Sequence, residues 1–351
     1  MESFSNFLKH NSENLSENRG LDSLMETISN CIVTLSYEIN QGPILGNLGN
    51  LSTQNVQGEI QKKLDVRADE IFSLALSDEK NVIAFVSEEK EKPTFINKDL
   101  EKGYVVFFDP LDGSSNVDVN GIVGSIFSVY QITNALQLET LDLLLPGSQQ
   151  VAAGYSTFGP STMLVVAFNN LVNGFTFESS RKEFVLTHKN LQVSENCSEY
   201  SINSSNLRYW EPPIQKYIKE CNEGEDGVRE KNFNMRWCGS MVADIHRILL
   251  RGGVFLYPKD SKVPEREGRL RLMYEANPMA MIVENAGGQA STGRVNILNV
   301  IPDDCHQRIP VIIGAAKEVK RIETYYQKYD GGSLEYDSPL FRERSLFVDP
   351  K

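Results

Sequence analysis

The stretch that most constrains this chain is an apolar run, Tyr104-Val105-Val106-Phe107-Phe108, that passes without a break into Asp109-Pro110-Leu111-Asp112-Gly113-Ser114-Ser115-Asn116. Such a run reads as a buried strand. The residues after it place acids, a glycine and hydroxyls at its carboxyl end. A second strand-like run, Asn81 to Ser87, closes in the same way on Glu88-Glu89, about one βα-type unit earlier. In open α/β sheets ligands gather beyond the carboxyl ends of strands, so the two acid pairs could face one another. Asp-Pro and Asp-Gly are also ordinary turn dipeptides, and in isolation the octapeptide reads equally well as a turn after a buried strand.

With 351 residues, and roughly 100–200 residues per domain, about two domains are expected. A hydrophobic share of 40% with 23% charged residues fits a packed globular chain rather than a disordered one. The net charge of −12 argues against a nucleic-acid partner or an anionic membrane surface, so a phosphate ligand has to be captured by local groups. Cys31, Cys197, Cys221, Cys238 and Cys305 are scattered, without a C-x-x-C pair or zinc spacing to histidine, which reads as a reducing compartment and no structural metal. Met1–Gly20 is polar, with no signal-like apolar region, and no apolar run approaches the roughly 18 residues a bilayer span needs. Cytoplasm is the expected location.

Along the chain, residues 1–20 read as a flexible arm. Leu21, Leu24, Met25, Ile28, Ile32, Leu35 and Ile39 keep helical spacing up to Gly42-Pro43, and a Gly/Asn/Ser-rich loop leads to a second helical region near Glu59–Leu76. From Val123 to Thr187 the pattern is strands without helices, and the pair flanking Asn173-Gly174 reads as a hairpin. A polar stretch after Ser194 marks a domain boundary, beyond which helix and strand alternate: a helix from Met241 to Leu249, a strand at Val254–Tyr257, another at Arg269–Tyr274, then a helix opened by Asn277-Pro278 and closed by Gly287-Gly288. A strand at Ile309–Gly314 and a helix at Lys317–Tyr329 finish the pattern, with a tail from Gly331. The division is an arm (1–20), a first domain (21–193), a second domain (194–330) and a tail (331–351).

The chemistry lies in the company of Asp109 and Asp112, which have Glu88, Glu89, Asp65, Glu59 and Glu275 as candidate neighbours. Converging carboxylates raise one another's pKa and are tolerable only with cations among them. Oxygen-only ligands favour Mg²⁺ or Mn²⁺ over zinc. Gly113-Ser114-Ser115 supplies the complementary half, since successive N–H groups and hydroxyls form a nest for a phosphoryl group. Acids for metal beside amides for phosphate point to phosphoryl chemistry. On strand parity Arg269, Arg271 and Glu275 share a face if the chain stays extended, and the alternative is a solvated ladder of surface charges. Arg236 and Tyr257 are equally open readings. His246 reads as a satisfied structural histidine, and Trp237 and Tyr325-Tyr326 as packing.

These blocks, together with Val151-Ala152-Ala153-Gly154-Tyr155, Tyr200-Ser201-Ile202-Asn203, Gly239-Ser240-Met241-Val242-Ala243-Asp244 and Arg269-Leu270-Arg271-Leu272-Met273-Tyr274-Glu275, resemble the class I fructose-1,6-bisphosphatases in order from about Leu21 to Tyr329. The Asp-Pro-Leu-Asp-Gly-Ser core is shared with inositol phosphatases, and the later blocks are more specific. The resemblance implies an α/β (α+β) fold, the layered α-β-α-β-α sugar-phosphatase sandwich in two domains with mixed and antiparallel sheets. It implies a homotetramer and Mg²⁺-dependent hydrolysis of the 1-phosphate of fructose 1,6-bisphosphate in gluconeogenesis, with two or three Mg²⁺ per subunit and Mn²⁺ as a substitute.

Carried onto this sequence, the resemblance makes Glu59, Glu88, Glu89, Asp109, Asp112, Glu275 and the Leu111 carbonyl metal ligands. Asp65 and Glu89 position or deprotonate the attacking water. Asp112, Gly113, Ser114 and Ser115 hold the reacting end of the substrate, Met241 lies against the sugar, and Asn203, Tyr257, Arg269 and Arg236 from a neighbouring subunit grip the 6-phosphate. Glu59 stands where aspartate is common, Arg269 where lysine is common, and Trp237 and Asn206 where animal members have tyrosines. Tyr104 matches an effector-site residue, while Gly103 and Gln131 replace the lysine and arginine that hold AMP in animal members, so an AMP response here needs other contacts. No cysteine lies in 132–149, which excludes thiol regulation of the chloroplast type. A sedoheptulose-1,7-bisphosphatase, a catalytically silent sugar-phosphate-binding regulator and a two-carboxylate glycosidase are the competing readings. The last makes no use of Gly113–Ser115.

Overall fold

The computed structural model describes residues 2–12, 20–46, 49–54, 60–135 and 138–334. Its elements follow from how the apolar residues alternate. In β2 (Gly103–Asp112), the side chains of Tyr104, Val106 and Phe108 enter one apolar cluster and those of Val105 and Phe107 another. A strand with apolar residues at every position must be covered on both faces. The first face is covered by α1 (Phe4–Ser12), α2 (Leu21–Asn40) and α3 (Lys63–Asp78), the second by α5 (Met241–Arg251) and α6 (Asn277–Asn285).

Among the described residues, eight strands form the first sheet. β1 (Val82–Ser87) pairs in parallel with β2, and the sheet continues antiparallel through β3 (Gly124–Ile132), β4 (Gln150–Phe158), β5 (Thr162–Phe168), β6 (Leu171–Glu178) and β7 (Glu183–His188), with Thr94–Phe95 on the far edge beside β1. The second sheet has β8 (Glu199–Ser201), β9 (Val254–Tyr257), β11 (Val311–Gly314) and β10 (Gln289–Ser291) side by side, with Asn234–Met235 beyond β8. Alternation again splits its strands. Phe255, Val311 and Ile313 face α5 and α6, whereas Val254, Leu256 and Ile312 face α4 (Pro212–Glu223) and α7 (Ala316–Asp330). Helices, sheet, helices, sheet, helices make the expected α-β-α-β-α order, and the central core draws side chains from both sides of position 193.

Four expectations change. The arm 1–20 contains α1, whose Phe4 and Leu8 are buried and whose Phe4 ring meets Phe175 edge-on at 4.8 Å; two aromatics and a leucine at helical spacing gave it enough apolar area to dock. The hairpin turn sits at Asn169-Asn170, with φ of 52° and 58°, and β6 runs straight through Asn173-Gly174. Positive φ at both positions is the type I′ geometry that suits two twisted strands, and asparagine tolerates it. Asp109–Asp112 is strand rather than turn: β2 stays paired to β3 as far as Asp112↔Gly124, with a bulge after Asp109 that accommodates Pro110. The strand expected at Arg269–Tyr274 is confined to Leu270–Arg271, after which Leu272–Ala276 winds into a π turn. Of the tail, residues 335–351 lie outside the described residues.

His246 on α5 is the structural histidine expected: its Nδ1 lies 2.8 Å from the Tyr155 hydroxyl, and burial pulls its pKa down to about 4. The imidazole is therefore neutral at pH 7. Tyr155→Phe takes the partner from a half-buried ring nitrogen and is expected to cost about 1 kcal/mol, read as a lower urea midpoint at unchanged m-value.

Candidate active site

The parallel pairing of β1 with β2 brings their ends level. Ser87 is registered with Phe108, and the Glu88 N–H donates to the Phe108 carbonyl at 3.1 Å, so Glu88 emerges beside Asp109. The bulge after Asp109 turns Asp112 toward the same side, where Asp109 Oδ1 accepts the Leu111 N–H at 2.9 Å. Glu275 arrives from the second region. Because Leu272–Ala276 winds rather than extends, Glu275 folds back to accept the Arg271 N–H at 2.6 Å, and Arg271 and Glu275 meet across one turn instead of by strand parity. Both are buried, which removes the reading of a solvated charge ladder.

Asp109, Asp112 and Glu275 each place a carboxylate oxygen within 4.8 Å of the others, all three buried. They line a cavity of about 210 Å³ together with Asp65, Glu88, Glu89, Leu111, Gly113, Ser114, Ser115 and Arg271. Burial above all, with mutual repulsion added, pushes Asp109 well above the carboxylate range, Glu275 to about 8 and Asp112 to about 6. Arg271 resists the rise at Glu275; Val242 and Ser240 resist it at Asp112. Among the described residues Arg271 is the cation lining the cavity, with its guanidinium 2.7 Å from Glu88 and 3.8 Å from Glu275. One guanidinium among this many acids leaves the cluster short of positive charge. Hard carboxylate and carbonyl oxygens without histidine or thiolate fit a hard divalent cation.

Asp65 lines the same cavity, fixed at the start of α3 by the Lys62 N–H at 2.8 Å and by the Ser114 hydroxyl; burial raises it to about 6 against those donors. Gly113 has φ of 74°, and a Cβ there would fall 2.4 Å from Cβ of Ser240, so glycine is required both by the left-handed turn and by the close approach. It opens a 3-10 turn, Ser114–Val119, with Ser114 half-buried and Ser115 exposed at the cavity edge. Glu59 lies outside the described residues.

Of the remaining predicted residues, Tyr257 and Arg269 lie within electrostatic reach of one another and of Glu275. Tyr257 ends β9, and its hydroxyl feels Arg269, Asp260, Glu275 and Arg308, although burial is the chief influence on it. Arg269 is forked to the Asp260 carboxylate at 3.2 and 3.3 Å, and Met241 is buried at the start of α5. Asn203 follows β8 and caps the turn after it, bonding Ser205. Trp237 stacks on Phe255 and lies 5.8 Å from Tyr257, so it packs under this wall. Arg236 is exposed. Tyr104 is at the other end of β2 from the acids, buried, with Gln131 Nε2 3.3 Å from its hydroxyl.

Two family profiles cover nearly the whole chain: "Fructose-1-6-bisphosphatase, N-terminal domain" over residues 3–189 and "Fructose-1-6-bisphosphatase, C-terminal domain" over 193–327. The chain belongs to the fructose-1,6-bisphosphatase family. It is 46% identical over 333 residues to a class 1 fructose-1,6-bisphosphatase of Methylacidiphilum infernorum (isolate V4), covering 94% of this chain and 93% of that one. To the class 1 fructose-1,6-bisphosphatase of Hydrogenophilus thermoluteolus it is 51% identical over 300 residues, 85% of this chain and 83% of that one. The crystal structure of Leishmania major fructose-1,6-bisphosphatase in holo form superposes with a TM-score of 0.86 at 35% identity, over 93% of this chain and 99% of that one. Membership in the fructose-1,6-bisphosphatases brings divalent-metal use, which the acidic cluster suits.

Sequence reasoning left three features of this fructose-1,6-bisphosphatase site unassigned: Arg271 within the acids, Asp260 behind Arg269, and Ser240 against Asp112. Parity pointed at Arg271 but with the wrong geometry. Nothing in the local sequence pairs residue 260 with 269, or residue 240 with 112.

Proposed function

We propose that this chain is a fructose-1,6-bisphosphate 1-phosphatase, a phosphoric monoester hydrolase of gluconeogenesis, and that Asp109, Asp112, Glu275, Glu88, Glu89 and the Leu111 carbonyl hold two or three Mg²⁺, with Mn²⁺ as a substitute and Glu59 as a further ligand. The observation that carries this reading is the buried triad Asp109, Asp112 and Glu275 lining one cavity with the Gly113–Ser115 turn. Bound cations supply a water of lowered pKa and a polarised phosphoryl oxygen.

The chain's own residues divide the rest of the task. Gly113, Ser114 and Ser115 present N–H and hydroxyl donors to the 1-phosphate, with Asp112 at the base of that turn. Asp65 and Glu89 orient the attacking water and take its proton. With its pKa near 6, Asp65 is chiefly ionised at neutral pH and still basic enough to accept. Met241 bounds the sugar. Asn203, Tyr257 and Arg269, with Arg236 of a neighbouring subunit in a homotetramer, grip the 6-phosphate; the guanidinium at 269 favours forked contacts. On this reading, residues 21–193 carry the metal and regulatory parts and 194–330 the sugar-bisphosphate part. Tyr104 is the one effector-site residue carried over, and an AMP response would need other contacts beside it. No helix among the described residues is long and apolar enough to cross a membrane, and the cytoplasm is the proposed location.

The test is phosphate release from fructose 1,6-bisphosphate, sedoheptulose 1,7-bisphosphate and fructose 1-phosphate, with Mg²⁺ or with EDTA, and with and without AMP. Turnover is expected only with the metal, with the highest kcat/KM for fructose 1,6-bisphosphate. Full activity in EDTA would refute the reading. A preference for the seven-carbon sugar would make the chain a sedoheptulose bisphosphatase.

A further inference from the structure

Ser240 precedes α5 at the position where serine ordinarily accepts a hydrogen bond from the helix's own first-turn N–H groups. It makes no such bond. Its hydroxyl instead donates to Asp112 Oδ2 at 2.8 Å, and the same oxygen accepts the Val242 N–H at 2.9 Å. The cap of α5 is thus supplied from another sheet by Asp112, and Ser240 acts as donor. Ser240 is 1% exposed. The turn that carries it is fixed on its other side, where Asp244 accepts the N–H groups of Cys238 and Gly239 at 2.9 and 3.2 Å and Asn116 Nδ2 donates to the Cys238 carbonyl at 3.3 Å.

We propose that Ser240 is a positioning residue for Asp112, occupying Oδ2 so that the carboxylate is held in one rotamer within its cluster with Asp109 and Glu275. A carboxylate with two donors on one oxygen cannot rotate without breaking both. Because Met241 is the next residue, the serine also joins the acid cluster to the wall of the sugar pocket. This inference rests on the reading of the cluster as a metal site.

The test uses the full chain freed of metal, with Mn²⁺ as the calorimetric probe, on wild type, Ser240→Ala and Asp109→Asn, alongside kcat for fructose 1,6-bisphosphate and Tm in EDTA. Ser240→Ala is expected to weaken Mn²⁺ binding by about 10-fold or more and to lower kcat comparably. Since the serine does not cap its own helix, the metal-free Tm should move by no more than about 3 °C. Unchanged Mn²⁺ affinity and kcat in Ser240→Ala would overturn the inference, provided that Asp109→Asn abolishes binding. If Asp109→Asn also binds Mn²⁺ normally, the metal reading itself has failed. Should Ser240→Ala not fold, Ser240→Gly, which also removes the hydroxyl donor, is read in the same way, and wild-type affinity there overturns the inference.

Discussion

Asp109→Asn is expected to lower kcat by about 10³-fold or more while making the metal-free protein more stable. The two effects have one origin. Asp109 is buried among Glu88, Asp112 and Glu275, and burial and those neighbours raise its pKa far above the usual range. In the metal-free protein folding must therefore either protonate this carboxyl or bury its charge, at a cost in both cases, and the amide avoids that cost while keeping an oxygen to accept the Leu111 N–H. With metal present the balance reverses, because an amide is a poor ligand for a hard cation. Losing roughly 4 kcal/mol of the several that a metal contributes to transition-state charge stabilisation corresponds to about 10³ in rate. Phosphate release gives kcat, and calorimetry in EDTA gives Tm, which should rise by a few degrees. A variant that loses activity and also melts earlier without metal would show Asp109 to be structural, and near-normal kcat would remove it from the site.

Much of the architecture was legible because it rests on local patterns. The alternation within Tyr104–Phe108, the helical spacing of Leu21 to Ile39 and the Asn277-Pro278 helix start each specify an element through neighbours in sequence, and each element is present. The convergence of Glu88 with Asp109 came from one inference about strand ends, which parallel pairing satisfies. What was illegible depends on contacts distant in sequence. The docking of α1 needs Phe175, the π turn that delivers Glu275 needs Arg271 to pair with Glu88 more than 180 residues earlier, and the cap on α5 needs Asp112. Asn169-Asn170 was missed for another reason: Asn173-Gly174 is the stronger turn signal on paper, but tertiary pairing of β5 with β6 overrides it. The family's identity came from motif blocks and not from physics. The physics supplied the reason those blocks converge.

The metal-free protein is expected to lose stability as pH rises from 6 to 8.5, and divalent metal is expected to abolish that loss. Four buried acids of the cavity titrate upward on folding, Asp65 and Asp112 to about 6, Glu275 to about 8 and Asp109 well above its ordinary value, with burial as the leading cause in each. Acids raised in this way bind more protons folded than unfolded, so their protonation favours the fold fully below about pH 4, the unfolded value, and that contribution disappears as pH climbs through the folded values. By pH 8.5 Asp65 and Asp112 are ionised and Glu275 largely so, and their repulsion is exposed. His246 works in the opposite sense: with a folded pKa near 4 against about 6.5 unfolded it adds stability as pH rises through about 6.5, so its opposition is confined to the lower end of the window and is spent by about pH 7.5. Metal replaces the protons, so its binding should release them and strengthen with pH. Tm measured from pH 6 to 8.5 should fall in EDTA and stay level or rise in saturating Mg²⁺, and Asp109→Asn should flatten the EDTA slope. Identical profiles with and without metal would mean that Asp109, Asp112 and Glu275 do not share a cation.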